Sequence, residues 1–140
     1  MTLQITRTED LATCHALRRA VFIEEQGVPE ADELDDLDAQ AIHLLATVDG
    51  RPMGSARLLR LGDTGKIGRV CVLAQARGTG LGAALIRAAL DEFRAMPGIA
   101  KVKLGAQTHA LGFYERLGFA AFGPEYDDAG IPHRDMVLAL

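Results

Sequence analysis

One short stretch of the sequence has the residues of an anion-binding loop. It runs from Arg77 to Gly82 as Arg-Gly-Thr-Gly-Leu-Gly and lies between a β-branched, strand-like run and a helix predicted to begin near Leu81. The first backbone amides of a helix lack partners within the helix and carry partial positive charge. Because glycine leaves these amides accessible, the spacing predicts a phosphate or pyrophosphate site. The alternative is a tight turn that binds no ligand.

Two known phosphate-binding patterns fit this stretch poorly. The P-loop ends in Gly-Lys-Ser/Thr, whereas Gly82 is followed by two alanines, so a P-loop is excluded. The dinucleotide pattern G-x-G-x-x-A matches from Gly78 to Ala83, but it requires an acidic residue about 20 positions later to bind the ribose. That part of the chain has Lys101 and Lys103 instead. A dinucleotide-binding oxidoreductase is therefore disfavoured.

The elements around the loop follow a mixed order of strands and helices. A strand-like start precedes a helical face from Leu11 to Phe22 and then an acidic segment without periodicity. Residues 41–73 contain three strand-like runs, and Asp49-Gly50 between the first two is typical of a hairpin turn. Beyond the loop come a helix, a strand, a short helix that ends at Gly118, and two further strands. The order predicts one α/β domain over residues 1–140.

Composition and charge narrow the classes of function. The 140 residues are 49% hydrophobic with a net charge of −4, which indicates a globular protein without the basic surface of a general nucleic-acid binder. No run approaches the roughly 18 apolar residues that span a bilayer, and the N-terminus lacks a secretion signal. The two cysteines and four histidines have no metal-ligand spacing. We expect a cytoplasmic protein that binds no nucleic acid, membrane or metal.

Four stretches of the sequence resemble one family. "VCVLAQARGTGLGAAL" is similar to the acetyl-CoA motif of the GNAT N-acetyltransferases, Arg/Gln-x-x-Gly-x-Gly/Ala, with Arg77, Gly80 and Gly82 at its positions. "GFYERLGF" resembles the helix that carries the family's tyrosine, here Tyr114. "RRAVFIEEQGVPEADELDDLD" and "IPHRDM" resemble the ElaA-like branch. Since these stretches span nearly the whole chain in the family's order, the sequence is identified as a member of that superfamily.

The resemblance implies a fold, a donor and a reaction. The implied fold is a central mixed sheet of six or seven strands, with an antiparallel N-terminal meander, splayed middle strands and helices on both faces. The implied reaction transfers an acetyl group from acetyl-CoA to a primary amine of a small molecule or peptide, and the implied assembly is a homodimer. The expected donor contacts are Val70, Cys71 and Val72 on the strand, and Arg77, Gly78, Thr79, Gly80, Leu81 and Gly82 in the loop.

Amide formation from a thioester needs a proton for the departing thiolate. A phenol has an ordinary pKa of about 10, against about 8.5 for a thiol, and stays protonated at neutral pH. Tyr114 is therefore the predicted general acid. A non-catalytic CoA sensor is the alternative function, since it would keep the glycine loop without depending on Tyr114.

The general base has several candidates. Some GNAT relatives carry a glutamate on the strand before the loop, where this sequence has Gly68. His133 and His43 are candidates because histidine is the residue type used most often as a general base, and Glu25 would serve if burial raised its pKa. A base acting through ordered water, or solvent alone, is a further alternative. The residues expected to contact the acceptor are Gln26, His43 and Gln107.

Two other features each have two interpretations. Six acidic residues lie between Glu30 and Asp38. They either attract a cationic amine to the acceptor site or form a solvated, mobile loop, as most charge runs do, and the second interpretation is slightly favoured. Cys71 is either an acyl-accepting nucleophile or, because it stands between two valines, a packing residue.

Overall fold

The computed structural model describes residues 2–140 and is built around one seven-stranded sheet. Its strands are β1 Leu3–Thr8, β2 Ile42–Val48, β3 Arg51–Leu61, β4 Thr64–Val72, β5 Lys101–Gln107, β6 Ala120–Asp128 and β7 Ile131–Ala139. Its α-helices are α1 Leu11–Arg18, α2 Glu30–Glu33, α3 Leu81–Arg94 and α4 Leu111–Arg116. A π-helical segment at Arg19–Glu25 and three short 3₁₀ turns, at Asp38–Gln40, Ala74–Ala76 and Thr108–Ala110, complete the elements of the described residues.

The strands lie in the order β1-β2-β3-β4-β5-β7-β6. Strands β1 to β4 form an antiparallel meander, β4 and β5 are parallel, and β7 pairs antiparallel with both β5 and β6. Asp49 and Gly50 have φ of +51° and +80°, the two positive angles that a tight two-residue hairpin requires. The predicted mixed sheet with an N-terminal meander is confirmed.

Strands β4 and β5 pair only at their beginnings. The register joins residues 64–66 of β4 to residues 101–103 of β5 and then stops. Beyond Lys66 the two strands separate, so the second half of β4 has a free edge on that side. The predicted splay in the middle of the sheet is present, and it divides β4 into a paired half and an open half.

A β-bulge in β4 accompanies this separation. Ser55 of β3 pairs with Cys71, and Arg57 pairs with Gly68. One residue thus lies between the pairs on β3 and two lie between them on β4, so β4 contains one extra residue. Arg69, inside the bulge, has φ of +51°, the left-handed region that side chains other than glycine seldom adopt.

The bulge changes which face of the sheet the following side chains occupy. Ile67 and Val70 both pack in the same hydrophobic core although they are three residues apart. Regular alternation would place them on opposite faces. The extra residue therefore turns Val70 and Val72 toward the helix α3 side and leaves Cys71 on the α1 side.

The main core lies between the sheet and helices α3 and α4, and a smaller one lies between the sheet and α1. Helix α3 buries Leu81, Leu85, Ala89 and Phe93 along one stripe, as its spacing predicts. Cys71 is 3% exposed in the smaller core, and burial raises the pKa of its thiol to about 12. Since a thiol acts as a nucleophile when ionised, Cys71 is a packing residue.

The first helix differs from the sequence prediction. The apolar face predicts one helix from Leu11 to Phe22, whereas α1 ends at Arg18 and continues as a π-helical segment over Arg19–Glu25. Its wider turn is closed by the amide of Gln26, which donates to the Val21 carbonyl five residues earlier at 3.0 Å. Between residues 2 and 140, the structure contains no helix with the length and apolar character needed to cross a bilayer.

Candidate active site

Two cavities meet at the splay between β4 and β5. The first, called the loop cavity, measures about 790 Å³ and lies beside the glycine loop and the open half of β4. The second, called the sheet cavity, measures about 520 Å³ and lies on the face of the sheet that carries α1. The residues that line both are Gln26, Val70, Gln107, Ala110, Tyr114 and Ile131.

The glycine loop forms one end of the loop cavity. Gly78 and Gly80 have φ of +76° and +86°, and Gly80 is the residue that directly precedes α3. Arg77, Gly78, Gly80 and Gly82 line the cavity. The other two predicted loop residues face elsewhere: the Thr79 hydroxyl donates to the Ala76 carbonyl at 2.5 Å, and the Leu81 side chain is buried in the main core.

The open half of β4 forms one wall of the same cavity. The amide of Leu73 donates to the Met53 carbonyl on β3 at 2.8 Å. Because successive amides of a strand point to opposite edges, the Val72 amide points to the edge that β5 has left. Val70, Cys71 and Val72 all line the loop cavity. This wall offers backbone donors and acceptors to an extended ligand.

Arg77 contacts both this wall and the segment after α1. Its Nε donates to the Val72 carbonyl at 3.1 Å, and its two Nη atoms donate to the Glu25 carboxylate at 2.5 and 2.7 Å. The hydrogen bonds from Arg77 hold the pKa of Glu25 below its ordinary value. The condition for Glu25 to act as a base, a pKa raised by burial, is therefore not met.

Tyr114 lies where the two cavities meet. It extends from α4, and its ring stands edge-on to Phe113 and Phe119 with centroids 5.0 and 6.0 Å away. Burial raises the pKa of its phenol to about 12. The hydroxyl is therefore protonated throughout the neutral pH range. It can donate a hydrogen bond or a proton, and it is not present as a phenolate.

His133 lies in the sheet cavity with a defined ring orientation. Its Nδ1 is 2.7 Å from the Ile131 carbonyl, which only accepts, so Nδ1 carries the proton in the neutral ring. Nε2 is then left with its lone pair. The Tyr126 ring stacks on His133 at 5.9 Å, and its hydroxyl donates to Asp135 Oδ1 at 2.7 Å. A Cβ on Gly105 would stand only 2.5 Å from that hydroxyl.

The three predicted acceptor residues divide between two places. Gln107 donates to Gln26 Oε1 at 3.0 Å, and both line the junction of the cavities. His43 is instead buried on β2, where Nε2 donates to the Asp38 carbonyl at 2.9 Å, and it lines neither cavity. Gly68 lines the sheet cavity and faces open space at the position where some relatives carry a glutamate.

The acidic segment is folded against the sheet but only partly buried: Glu30, Asp32, Asp35 and Asp36 are exposed, whereas Glu33 is buried and Asp38 is half-buried. Three of its carboxylates pair with three arginines from α1, β3 and β4, and the shortest of these contacts joins Arg18 Nε to Glu33 Oε1 at 2.5 Å. Arg18 is 1% exposed and Glu33 is 5% exposed. We call the set the ionic cluster; its members are Arg18, Glu33, Asp35, Asp38, Arg57 and Arg69.

Asp38 is the most highly connected carboxylate of the ionic cluster. Burial by itself would raise its pKa, but hydrogen bonds from Arg18, His15 and Arg57 outweigh burial and lower the pKa far below its ordinary value. Arg18 Nη1 and Arg57 Nη1 lie 2.9 and 3.1 Å from Asp38 Oδ1. Asp38 is therefore ionised in the neutral pH range, where it accepts these hydrogen bonds.

Sequence reasoning missed several charged or polar residues of the sheet cavity, and four of them are Arg57, Arg69, Tyr126 and Asp135. A signal for Arg69 was present, because Ile67 and Val70 fail to alternate across it. The other three have no local signal, because their contacts cross between strands that are distant in the sequence.

Comparison with known proteins confirms the family that the sequence resembles. Residues 11–140 match the Acetyltransferase (GNAT) domain. The chain is 35% identical to the N-acetyltransferase YjcF of Bacillus subtilis over 130 residues, with 92% of each chain covered. It is 36% identical to Protein ElaA of Escherichia coli over 124 residues, which is 86% of this chain and 81% of ElaA.

A solved structure agrees over the whole chain. The crystal structure of an acyl-CoA N-acyltransferase from Pseudomonas aeruginosa superposes with a TM-score of 0.88 at 33% identity, covering 99% of this chain and 100% of that one. The two chains thus share one fold over their whole length. The chain belongs to the GNAT N-acetyltransferase family, and ElaA is among its homologues.

Proposed function

We propose that this acetyltransferase moves an acetyl group from acetyl-CoA to a primary amine of a small molecule or peptide by direct attack. The observation that carries the proposal is the meeting of two cavities at Tyr114, beside the open edge of β4. The donor occupies the loop cavity and the amine enters from the sheet cavity. Both reactants then reach one point from opposite sides, which is the arrangement that direct transfer requires.

The loop cavity suits the parts of the donor in order. The pyrophosphate binds at the N-terminus of α3, where the amides near Gly78 and Gly80 have no helical partners and Arg77 adds positive charge. The pantetheine arm extends along the free edge of Val70–Val72 and pairs with it as a short strand does. The thioester then lies next to Tyr114.

The proposed chemistry balances one proton lost and one gained. The neutral amine attacks the carbonyl carbon of the thioester, the C–N bond forms, and the C–S bond breaks. The nitrogen loses a proton to His133 Nε2 directly or through water. The Tyr114 hydroxyl, which is protonated at neutral pH because its pKa is raised to about 12, acts as the general acid: it donates a hydrogen bond to the sulfur as negative charge develops, passes its proton to the sulfur as the C–S bond breaks, and regains a proton from solvent.

The test is thiol release from acetyl-CoA with a panel of amines and peptides, comparing wild type with Tyr114→Phe. We expect kcat to fall about hundredfold, the lower end for loss of general acid catalysis, with the KM for acetyl-CoA within about twofold. The matched control is Tyr126→Phe, which removes the hydroxyl of the other tyrosine and leaves the kcat within a few-fold.

Equal kcat for wild type and Tyr114→Phe would remove Tyr114 from the mechanism. A thermal-shift measurement with CoA accompanies the assay, because a ligand that binds only the folded state raises the melting temperature. A rise with CoA but no thiol release with any amine would favour the sensor function. No rise with either CoA or acetyl-CoA would exclude the proposed donor.

A further inference from the structure

The bulge residue of β4 joins the two halves of the proposed site. Arg69 extends from the bulge into the ionic cluster, where its Nη2 donates to the Glu33 carbonyl at 3.1 Å and to Asp35 Oδ2 at 3.2 Å. The acidic segment that accepts these bonds lines the sheet cavity through Asp32 and Glu33. The strand that provides them continues as Val70, which lines both cavities.

The backbone conformation of Arg69 is strained, and the contacts of its side chain with the acidic segment compensate for that strain. A residue with a side chain at φ of +51° costs about 1–2 kcal/mol relative to the right-handed region. The chain has a glycine immediately before it, at Gly68, yet the positive angle falls on the arginine. The hydrogen bonds and ion pair to the acidic segment offset that cost. The conformation of the bulge and the position of the segment are therefore stabilised by the same contacts.

We propose that Arg69 is a positioning residue, which holds the open half of β4 and the acidic wall of the sheet cavity in register with each other. The proposal rests on the proposed function for its kinetic consequence, because the open half of β4 would carry the donor and the acidic wall would face the acceptor. Arg69 itself touches neither reacting atom. Loss of its side chain would let the donor and the acceptor shift relative to each other, although no reacting group is removed.

The variant that isolates this role is Arg69→Gly. Glycine adopts the positive φ without strain, so the bulge survives while the guanidinium is lost. We expect kcat to fall about tenfold, because misplacement of bound reactants lowers the rate of the chemical step, with the KM for acetyl-CoA within about twofold. Arg69→Lys, which keeps the charge but lacks the planar fork, recovers part of the loss.

Two controls separate positioning from general instability. Arg60→Ala removes an arginine of β3 that, among the described residues, donates to the carbonyls of Gly62 and Pro97 and not to the ionic cluster, and it leaves kcat unchanged. Asp35→Asn removes a partner of Arg69 and also a partner of Arg57, which donates to Asp35 Oδ1 at 2.8 Å. The double variant Arg69→Gly with Asp35→Asn should therefore lose less kcat than the product of the two single losses, because the two residues share a contact. All rates are measured well below the melting temperature of each variant.

Hydrogen exchange provides a readout that does not depend on catalysis. In Arg69→Gly the amides of residues 30–38 and of residues 70–72 exchange faster together, whereas in Arg60→Ala neither segment changes. If wild type transfers acetyl to no amine, the proposed function fails and this exchange result decides the positioning role by itself. Wild-type kcat in Arg69→Gly, or faster exchange in one segment alone, would overturn the proposal.

Discussion

The loop cavity and the sheet cavity are built in different ways. Eight of the 17 residues that line the loop cavity come from the strand–loop–helix unit between Val70 and Ala83, and this unit presents backbone and glycine. The sheet cavity is assembled from β3, β4, β5, β6, β7 and the acidic segment, and it presents charged and aromatic side chains. In the proposed function, the donor would therefore meet mainly backbone and glycine, and the acceptor would meet side chains that the fold brings together.

The ion pairs beside the two cavities differ in how far they are exposed to solvent. Arg77 and Glu25 beside the loop cavity are each 42% exposed at the side chain. Arg18 and Asp38 of the ionic cluster are 1% and 13% exposed. Exposed pairs contribute little to stability, whereas breaking a buried pair leaves an uncompensated charge. Folding should therefore depend more on the ionic cluster beside the sheet cavity than on the Arg77–Glu25 pair beside the loop cavity. The ionic cluster is also the harder of the two to recognise from the sequence.

The largest effect is expected from Asp38→Asn. Removing this carboxylate leaves two buried arginines with one partner fewer, and the free energy of unfolding should fall by about 3 kcal/mol. The measurement is urea unfolding at neutral pH. Glu25→Gln, which breaks the exposed pair at the other cavity, is the matched control and leaves the urea midpoint unchanged. Equal losses in both variants would contradict the difference between the two sides.

Acid should act on the same carboxylate. The folded-state pKa of Asp38 is lowered, so its contribution to stability is complete above its unfolded value of about 3.9 and is lost as the pH falls below that value. The melting temperature of wild type should decline more steeply below about pH 4 than that of Asp38→Asn. Parallel declines would show that other carboxylates account for the acid sensitivity.

An intermediate effect is expected from Gly80→Val at the glycine loop. A β-branched residue at φ of +86° is strained, although its Cβ would meet nothing within 4 Å. A cost of about 1.4 kcal/mol corresponds to a tenfold weaker interaction, so the KM for acetyl-CoA should rise about tenfold while the KM for the amine is unchanged. Gly112→Ala on α4, also facing open space, leaves both constants unchanged. A rise in the KM for the amine alone would contradict the prediction that the glycine loop binds the donor.

The smallest effect is expected from Gly105→Ala in the sheet cavity. The new Cβ would lie 2.5 Å from the Tyr126 hydroxyl, so the exposed tyrosine must move and its bond to Asp135 is lost. A hydrogen bond is worth about 1 kcal/mol, or roughly fivefold. The KM for the amine should therefore rise about fivefold with the KM for acetyl-CoA unchanged. A rise in the KM for acetyl-CoA with no change in the KM for the amine would indicate that the amine does not bind in the sheet cavity.

The strands and the glycine loop were predictable because their signals are local. Asp49-Gly50 predicted the hairpin, and the stripe on α3 predicted the helix that follows the loop. The π-helical continuation of α1 was not predictable, since its hydrogen bonds differ from those of an α-helix by one residue while the apolar spacing is nearly the same. The folding of the acidic segment was missed because its partners lie on α1, β3 and β4.

The sequence by itself determined the family, the mixed sheet and the loop expected to bind the donor, because glycine conformation, helix ends and strand alternation depend on neighbouring residues. Only the tertiary structure decided what faces the proposed acceptor. It removed His43 from the cleft, paired Glu25 with Arg77 and placed Arg69 between β4 and the acidic segment. Such charges are positioned by contacts across many strands, and the free energy of burying them depends on those contacts.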